Sequence, residues 1–221
     1  MTRLKSLIRD TRRTLEGIQA FGVTMLPAGE TGKARRIDPA DRLDSVRRQA
    51  LACEACRLSK TRHSVVFGEG PLDAELVFVG EGPGRDEDAQ GRPFVGAAGT
   101  LLTKIIQAMG LRRESVYITN VVKCRPPMNR PPEPDEIAAC HGYLEAQLAA
   151  IRPKVICALG RTAAVALLKV ESPMSQLRGR TFQWGEIPVV VTFHPAYLLR
   201  NPSAKALVWQ DMQRLLGILK P

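Results

Sequence analysis

Four short runs of branched apolar residues, each followed by a turn-rich segment and then a helical pattern, constrain the fold of this chain more than any other feature. The runs are Glu75–Gly80, Ser115–Val122, Lys154–Leu159 and Ile187–Phe193. Apolar residues at helical spacing lie between them at Ala97–Met109, Glu133–Ile151 and Arg161–Lys169, and Ala204–Leu219 closes the chain. A strand with apolar side chains on both faces must be covered on both faces. Strands of that kind joined through helices form a parallel sheet sandwiched by helices. The expected fold class is therefore α/β. At 221 residues, with 44% hydrophobic and 24% charged residues, the chain is long enough for one domain with its own core and is neither disordered nor fibrous. No apolar run approaches the roughly 20 residues of a membrane span.

Charge is distributed unevenly. The first 50 residues carry eleven Lys/Arg and six Asp/Glu, or +5, half of the total +10. Thr2–Ala20 suits a short helix, Pro27–Lys33 a flexible linker, and Asp41–Ala52 a second helix. We read residues 1–40 as a basic N-terminal extension and 41–221 as the compact domain. Met1–Glu16 lacks the apolar centre of a secretory signal, so a reducing, cytoplasmic setting is expected. A basic chain suits a polyanionic partner; the extension reads first as a solvated tail with no task, with a DNA-tethering arm as the alternative.

In open α/β sheets, ligands bind beyond the carboxyl ends of the strands. The first run leads into Glu81-Gly82-Pro83-Gly84, with Arg85-Asp86-Glu87-Asp88 and Gly91-Arg92-Pro93-Phe94-Val95-Gly96 following. The second carries Asn120 and then Lys123-Cys124-Arg125, and the fourth leads into His194-Pro195-Ala196-Tyr197-Leu198-Leu199-Arg200. These segments are expected to converge on one crevice. Acidic groups beside a Gly/Pro turn activate water or bind a cation, or else cap a helix. An aromatic held between proline and glycines serves as a stacking platform or as core. An Asn at a strand end offers a donor and an acceptor side by side, suited to the edge of a base, or caps the strand. The glycine turn lacks the lysine of a phosphate-binding P-loop.

Five cysteines are too few for a secreted disulfide scaffold. Cys53 and Cys56 form a Cys-x2-Cys pair, Cys124 follows a predicted strand, and Cys140 lies in a helical pattern. If the fold unites them, they hold zinc or an iron–sulfur cluster, and spacing does not separate the two. Reduced structural thiols are the plain alternative. Cys157, inside an apolar run, is expected in the core.

From about Cys53 to its end, the chain resembles the family 4 uracil-DNA glycosylases. The resemblance rests on Gly80-Glu81-Gly82-Pro83-Gly84, Gly91-Arg92-Pro93-Phe94-Val95-Gly96, Thr119-Asn120 before Lys123-Cys124-Arg125-Pro126-Pro127, the His194-Pro195 segment and the four-cysteine spacing. It implies a three-layer α/β/α sandwich around a four-stranded parallel sheet. It implies a structural [4Fe-4S] cluster on Cys53, Cys56, Cys124 and Cys140, and hydrolysis of the N-glycosidic bond of deoxyuridine in DNA, the first step of base excision repair. Phe94 would stack on a flipped uracil, and Asn120 would read its edge, with Gly82 and Gly84 beside it. His194 would donate to O2 of the departing base, and Glu81 or Glu87 would position water. Leu198 or Leu199 would fill the gap left in the stack, with Arg200 on phosphate. The implied protein is a monomer acting on single- or double-stranded uracil-containing DNA, nucleoid-associated when bound.

Two departures stand out. Gly82 occupies a position where the family usually has Ala. The chain also lacks the basic loop with a reactive histidine that lets a related subgroup trap its substrate covalently, since Gly96-Ala97-Ala98-Gly99 leads directly into a helix. Turnover is therefore expected, with His63 and His141 incidental. Two competing readings are a non-catalytic iron–sulfur protein that binds or senses damaged DNA, and a nucleotide-phosphate enzyme built on Gly82–Gly84. The first leaves Asn120, Phe94 and His194 without a reason to converge. The second lacks its lysine.

Overall fold

A computed structural model describes residues 38–220. The expected helix at Thr2–Ala20 and the linker at Pro27–Lys33 lie outside them. The described unit opens with helix α1 (Pro39–Leu51), where the side chain of Asp38 accepts from Ala40 N–H. There follow β1 (Leu76–Gly80), α2 (Arg85–Gln90), α3 (Ala97–Ala108), β2 (Tyr117–Asn120), α4 (Pro134–Ile151), β3 (Val155–Leu159) and α5 (Arg161–Leu168). The chain continues through α6 (Met174–Leu177), β4 (Thr181–Trp184), β5 (Ile187–Thr192), α7 (Pro195–Arg200) and α8 (Lys205–Leu219).

The sheet has five strands in the order β2-β1-β3-β5-β4. Four are parallel and correspond to the four apolar runs. The fifth corrects the four-stranded expectation: β4 pairs antiparallel with β5 at the edge, making the sheet mixed. Its sequence, Thr-Phe-Gln-Trp, is half exposed and only four residues long, so it carries no continuous apolar run. Gly185, at φ +59°, makes the tight return between Trp184 and Ile187 that a two-residue hairpin needs.

Burial on both faces explains the parallel strands. Val77 and Val79 face one side of β1, while Leu76 and Phe78 face the other; Val189 and Val191 oppose Val190 in the same way on β5. One face packs Leu144 and Leu148 of α4 and Ala163, Ala164 and Leu167 of α5. The other packs Leu102 and Ile106 of α3 and Val208, Met212 and Leu215 of α8. Each Val, Leu, Ile or Met side chain so removed from water contributes about 1.5–3 kcal/mol. Cys157 is wholly buried in the second layer. No described helix is long and apolar enough to cross a membrane.

The order places β2 and β3 on opposite sides of β1, so the winding reverses between β1 and β3. A crevice opens where crossovers leave to opposite faces. Glu81 follows β1 at this point and Thr162 follows β3, and the Thr162 hydroxyl donates to the Glu81 carboxylate across it.

Candidate active site

A cleft of about 810 Å³ lies over the carboxyl ends of the strands, and Glu81, Gly82, Gly84, Glu87, Phe94, Asn120 and His194 all line it. Three segments expected to converge are thus brought together.

Gly80 is where two of them meet. A Cβ on Gly80 would lie 2.3 Å from Asn120 Oδ1 and 2.6 Å from Phe94 Cζ. Only a residue without a side chain lets the amide and the ring approach the strand end together. Asn120, the last residue of β2, is 1% exposed. Its Oδ1 is the sole buried side-chain nitrogen or oxygen among the described residues without a hydrogen-bond partner. An orphaned buried acceptor costs about 1–3 kcal/mol. Here it borders a cleft that a donor-bearing ligand can enter.

Phe94 is held in a conformation that a phenylalanine rarely adopts, with φ +52°. The surroundings enforce it. Val95 N–H and Gly96 N–H each donate to Glu87 Oε1 at 2.9 Å, and Gly84 N–H donates to Oε2 at 3.1 Å. Arg113 donates to the Pro93 carbonyl at 2.7 Å and is anchored by Glu69 at 2.8 Å. Gly99 closes the cage from α3, since a Cβ there would fall 1.9 Å from the Phe94 carbonyl oxygen. Strain kept by so many contacts commonly marks a preorganised site. Glu87 therefore spends both carboxylate oxygens on backbone amides. Glu81 accepts from Thr162 through Oε2 alone among the described residues.

His194 caps α7. Its Nδ1 accepts from Ala196 N–H at 3.1 Å, which puts the proton of the neutral ring on Nε2. Burial pushes its pKa down to about 4; Arg200 acts in the same direction and Glu87 opposes. At neutral pH the ring is an uncharged donor. Its centroid stands 5.5 Å from that of Phe94. Gly160, at φ +91°, leaves room for it, as a Cβ there would come within 3.2 Å of His194 Cβ.

The expected DNA-facing residues separate. Arg200 and Tyr197 line the cleft, one helical turn apart on α7. Leu198 points inward, 1% exposed among core residues, so the structure removes it as a wedge. Leu199 is 49% exposed but lies outside the cleft lining. Sequence reasoning did not single out Thr162, Arg161 or Met128, which also line the cleft, and gave no role to Arg125, which does too. Met128 is 92% exposed, and it and Asn129 both have positive φ. That Met-Asn pair in a proline-rich turn is the one local sign that could have marked the segment. His63 and His141 lie elsewhere, His141 beside Glu145 at 3.1 Å.

Cys53, Cys56, Cys124 and Cys140 all line one small cavity, with Ala50, Ala139 and Tyr143 around them. Arg62 donates to Cys124 Sγ at 3.4 Å, and the Lys123 amide donates to Cys140 Sγ at 3.3 Å. Burial raises the Cys140 pKa to about 11 and that of Cys124 above its usual value. Among the described residues, no three Cys, His, Asp or Glu side chains are grouped tightly enough for one metal ion. A tetrahedral zinc site needs thiolates drawn around one centre at about 2.3 Å. The four thiols share one cavity, and their chemistry suits zinc or an iron–sulfur cluster.

The sequence profile described as the uracil DNA glycosylase superfamily matches residues 67–213. A protein of Thermotoga maritima named type-4 uracil-DNA glycosylase is 48% identical over 182 residues, covering 80% of this chain and 95% of its own. One of the same name from Archaeoglobus fulgidus is 46% identical over 181 residues, 78% of this chain and 91% of its own. A type-5 uracil-DNA glycosylase of Pyrobaculum aerophilum is 32% identical over 149 residues, 60% of this chain and 66% of its own.

Proposed function

Because this chain belongs to the uracil-DNA glycosylase superfamily and is an enzyme that excises uracil from DNA, we propose that the cleft over the strand ends receives a uracil flipped out of the DNA. Phe94 stacks on the base, Asn120 reads its edge, and His194 stabilises it as it leaves. The single observation that carries the assignment is the unpartnered, buried Oδ1 of Asn120. Uracil N3–H supplies the missing donor, and the amide NH₂ of the same residue donates to uracil O4. Cytosine presents the reverse pattern at both positions and leaves both groups mispaired. Such mispairing discriminates by about 10⁴ or more.

The reaction replaces the C1′–N1 bond with a C1′–O bond to water. As the glycosidic bond lengthens, its electron pair moves into the base, largely onto O2, and the sugar becomes oxocarbenium-like. Neutral His194 donates Nε2–H to that oxygen without a compensating proton uptake. A preorganised donor of this kind typically supplies about 10²–10³ in rate. Water attacks C1′, its proton passes to Glu81, and the uracil anion departs to be protonated by solvent. Glu81 rather than Glu87 takes this part because the carboxylate of Glu87 is engaged by three backbone amides.

The thiol set fits an iron–sulfur cluster, which Cys53, Cys56, Cys124 and Cys140 would hold. When bound, it supplies metal–sulfur bonds that tie the segment after α1 to the end of β2 and to α4. Hydrolysis transfers no electrons, so the cluster needs no redox part in it. Arg200 would hold phosphate and Leu199 would lean on the vacated stack. The enzyme works as a cytoplasmic monomer on single- or double-stranded DNA, and on the nucleoid when bound. Gly82 and Gly84 line the cleft beside the base.

The test is release of uracil from a labelled oligonucleotide, followed by alkali and a denaturing gel. Breaks only at uracil with many turnovers per enzyme are expected, and Asn120→Ala and His194→Ala should each lose most of the activity while remaining folded. Full activity in both variants overturns the site assignment. Retention of intact uracil-containing DNA without breaks would favour a binding protein.

A further inference from the structure

The buried lysine beside the base-reading asparagine has no part in the mechanism above, yet it is the only buried Lys or Arg among the described residues. Lys123 is 1% exposed. Its Nζ donates to the Asn120 carbonyl at 2.7 Å, to Thr119 Oγ1 at 2.7 Å and to Gln147 Oε1 at 2.6 Å. An ammonium has three protons, and all three are used. Among the described residues, no carboxylate pairs with it. The acceptors are themselves fixed. Thr119 Oγ1 donates to the Phe67 carbonyl at 3.0 Å, and Gln147 Nε2 donates to the same carbonyl at 2.7 Å and meets Tyr117 Oη at 3.1 Å.

This network holds the backbone of Asn120, while its side chain lines the cleft and its side-chain oxygen has no hydrogen bond of its own. Its aim therefore depends on the backbone from which it projects. Charge-assisted bonds are the strongest available for fixing a peptide plane, and the one at the Asn120 carbonyl comes from Lys123. The backbone amide of Lys123 in turn donates to Cys140 Sγ at 3.3 Å. One residue therefore touches both the strand end that carries the base reader and the cysteine site.

We propose that Lys123 is a positioning residue for base recognition: its ammonium locks the Asn120 backbone so that the free amide oxygen meets the base edge, and its bond to Cys140 links that aim to the integrity of the cysteine site. The inference rests on the assignment of the cleft as the uracil pocket. It makes the thiol site a support for recognition as well as for folding.

The experiment compares the full-length protein, purified with whatever iron it carries, with Lys123→Met and with the milder Thr119→Val, which removes one of the three acceptors. Inhibition by free uracil reports the pocket alone, and affinity for abasic-site DNA reports the rest of the interface. Iron per chain is measured in parallel. In Lys123→Met the inhibition constant for uracil should rise at least tenfold and the single-turnover rate fall by a similar factor. Abasic-DNA affinity should stay within about twofold. In Thr119→Val the rise should be about threefold with iron content unchanged. A merely structural lysine would weaken uracil and abasic-DNA binding together, and parallel losses overturn the proposal. So does unchanged uracil inhibition in Thr119→Val, which decides the matter alone if Lys123→Met does not fold. A wild-type protein that neither releases uracil nor is inhibited by it would instead overturn the pocket assignment, and this inference with it.

Discussion

Replacing Gly80 by alanine adds one methyl group at a residue with no chemical role, and the geometry predicts a nearly inactive but folded enzyme. The new Cβ would lie 2.3 Å from Asn120 Oδ1 and 2.6–2.7 Å from two carbons of the Phe94 ring. Carbon–carbon contacts settle at about 3.5–4.0 Å, so the ring must retreat by roughly 1 Å and the amide by nearly as much. Neither has an easy exit. Phe94 is caged by Gly99 and by the amides bound to Glu87, and Asn120 is anchored through its backbone by Lys123. Overpacking of this size costs about 1–3 kcal/mol, which a domain with the usual 5–15 kcal/mol survives. A 1 Å displacement of a positioning group costs about 10² in rate, and here two groups move. The single-turnover rate on a single-stranded uracil oligonucleotide should fall about 10²-fold or more, with Tm lowered by about 2–12 °C. An alanine variant within threefold of wild type would refute the argument that Gly80 exists to let the amide and the ring converge.

Three further outcomes follow from the same geometry. Glu87→Gln keeps an oxygen for Val95 and Gly96, so it should retain most activity while Glu87→Ala loses about 10²-fold in single-turnover rate; equal loss in both would instead make Glu87 the group that handles water. Because His194 titrates near 4 in the folded protein and near 6.5 unfolded, the unfolded state binds the extra proton first. The contribution of His194 to stability should therefore decline as pH falls from about 6.5 towards 4, and Tm measured across that range should fall less steeply in His194→Asn; the base-release step of the wild type should show no loss assignable to this histidine between pH 7 and 5. Leu198→Ala should cost about 2–5 kcal/mol in denaturant unfolding because it empties a buried site. Leu199→Ala should change stability by no more than about 0.5 kcal/mol, and its effect should be confined to duplex DNA.

The parallel strands and their helices were legible because each depends on a local pattern: a run such as Leu76–Gly80 is buried on both faces whatever its neighbours. The antiparallel edge strand was not, because Thr181–Trp184 becomes a strand only by pairing with β5, and half of it stays in water. At the site, Asn120 and His194 could be read from their places at strand ends, and Phe94 from its setting between proline and glycines. The roles of Glu87 and Leu198 could not. In sequence Glu87 is one acid among several. Its task is set by amides eight and nine residues away that the chain folds back to meet. Leu198 and Leu199 are equivalent as letters, and only the packing of α7 sends one into the core and leaves the other in solvent.

By itself, the sequence determined the α/β alternation, the polar residues at the strand ends and the four cysteines with their spacing, because these rest on side-chain chemistry and on short-range periodicity. Tertiary structure decided which of those groups keep a free atom. Asn120 Oδ1 has no partner, Nε2 of His194 bears the proton, the Glu87 carboxylate is fully engaged, and the Lys123 ammonium is satisfied. Each of these depends on distances between segments tens of residues apart or on a fold-imposed backbone angle, and hydrogen bonds lose most of their strength over less than an ångström.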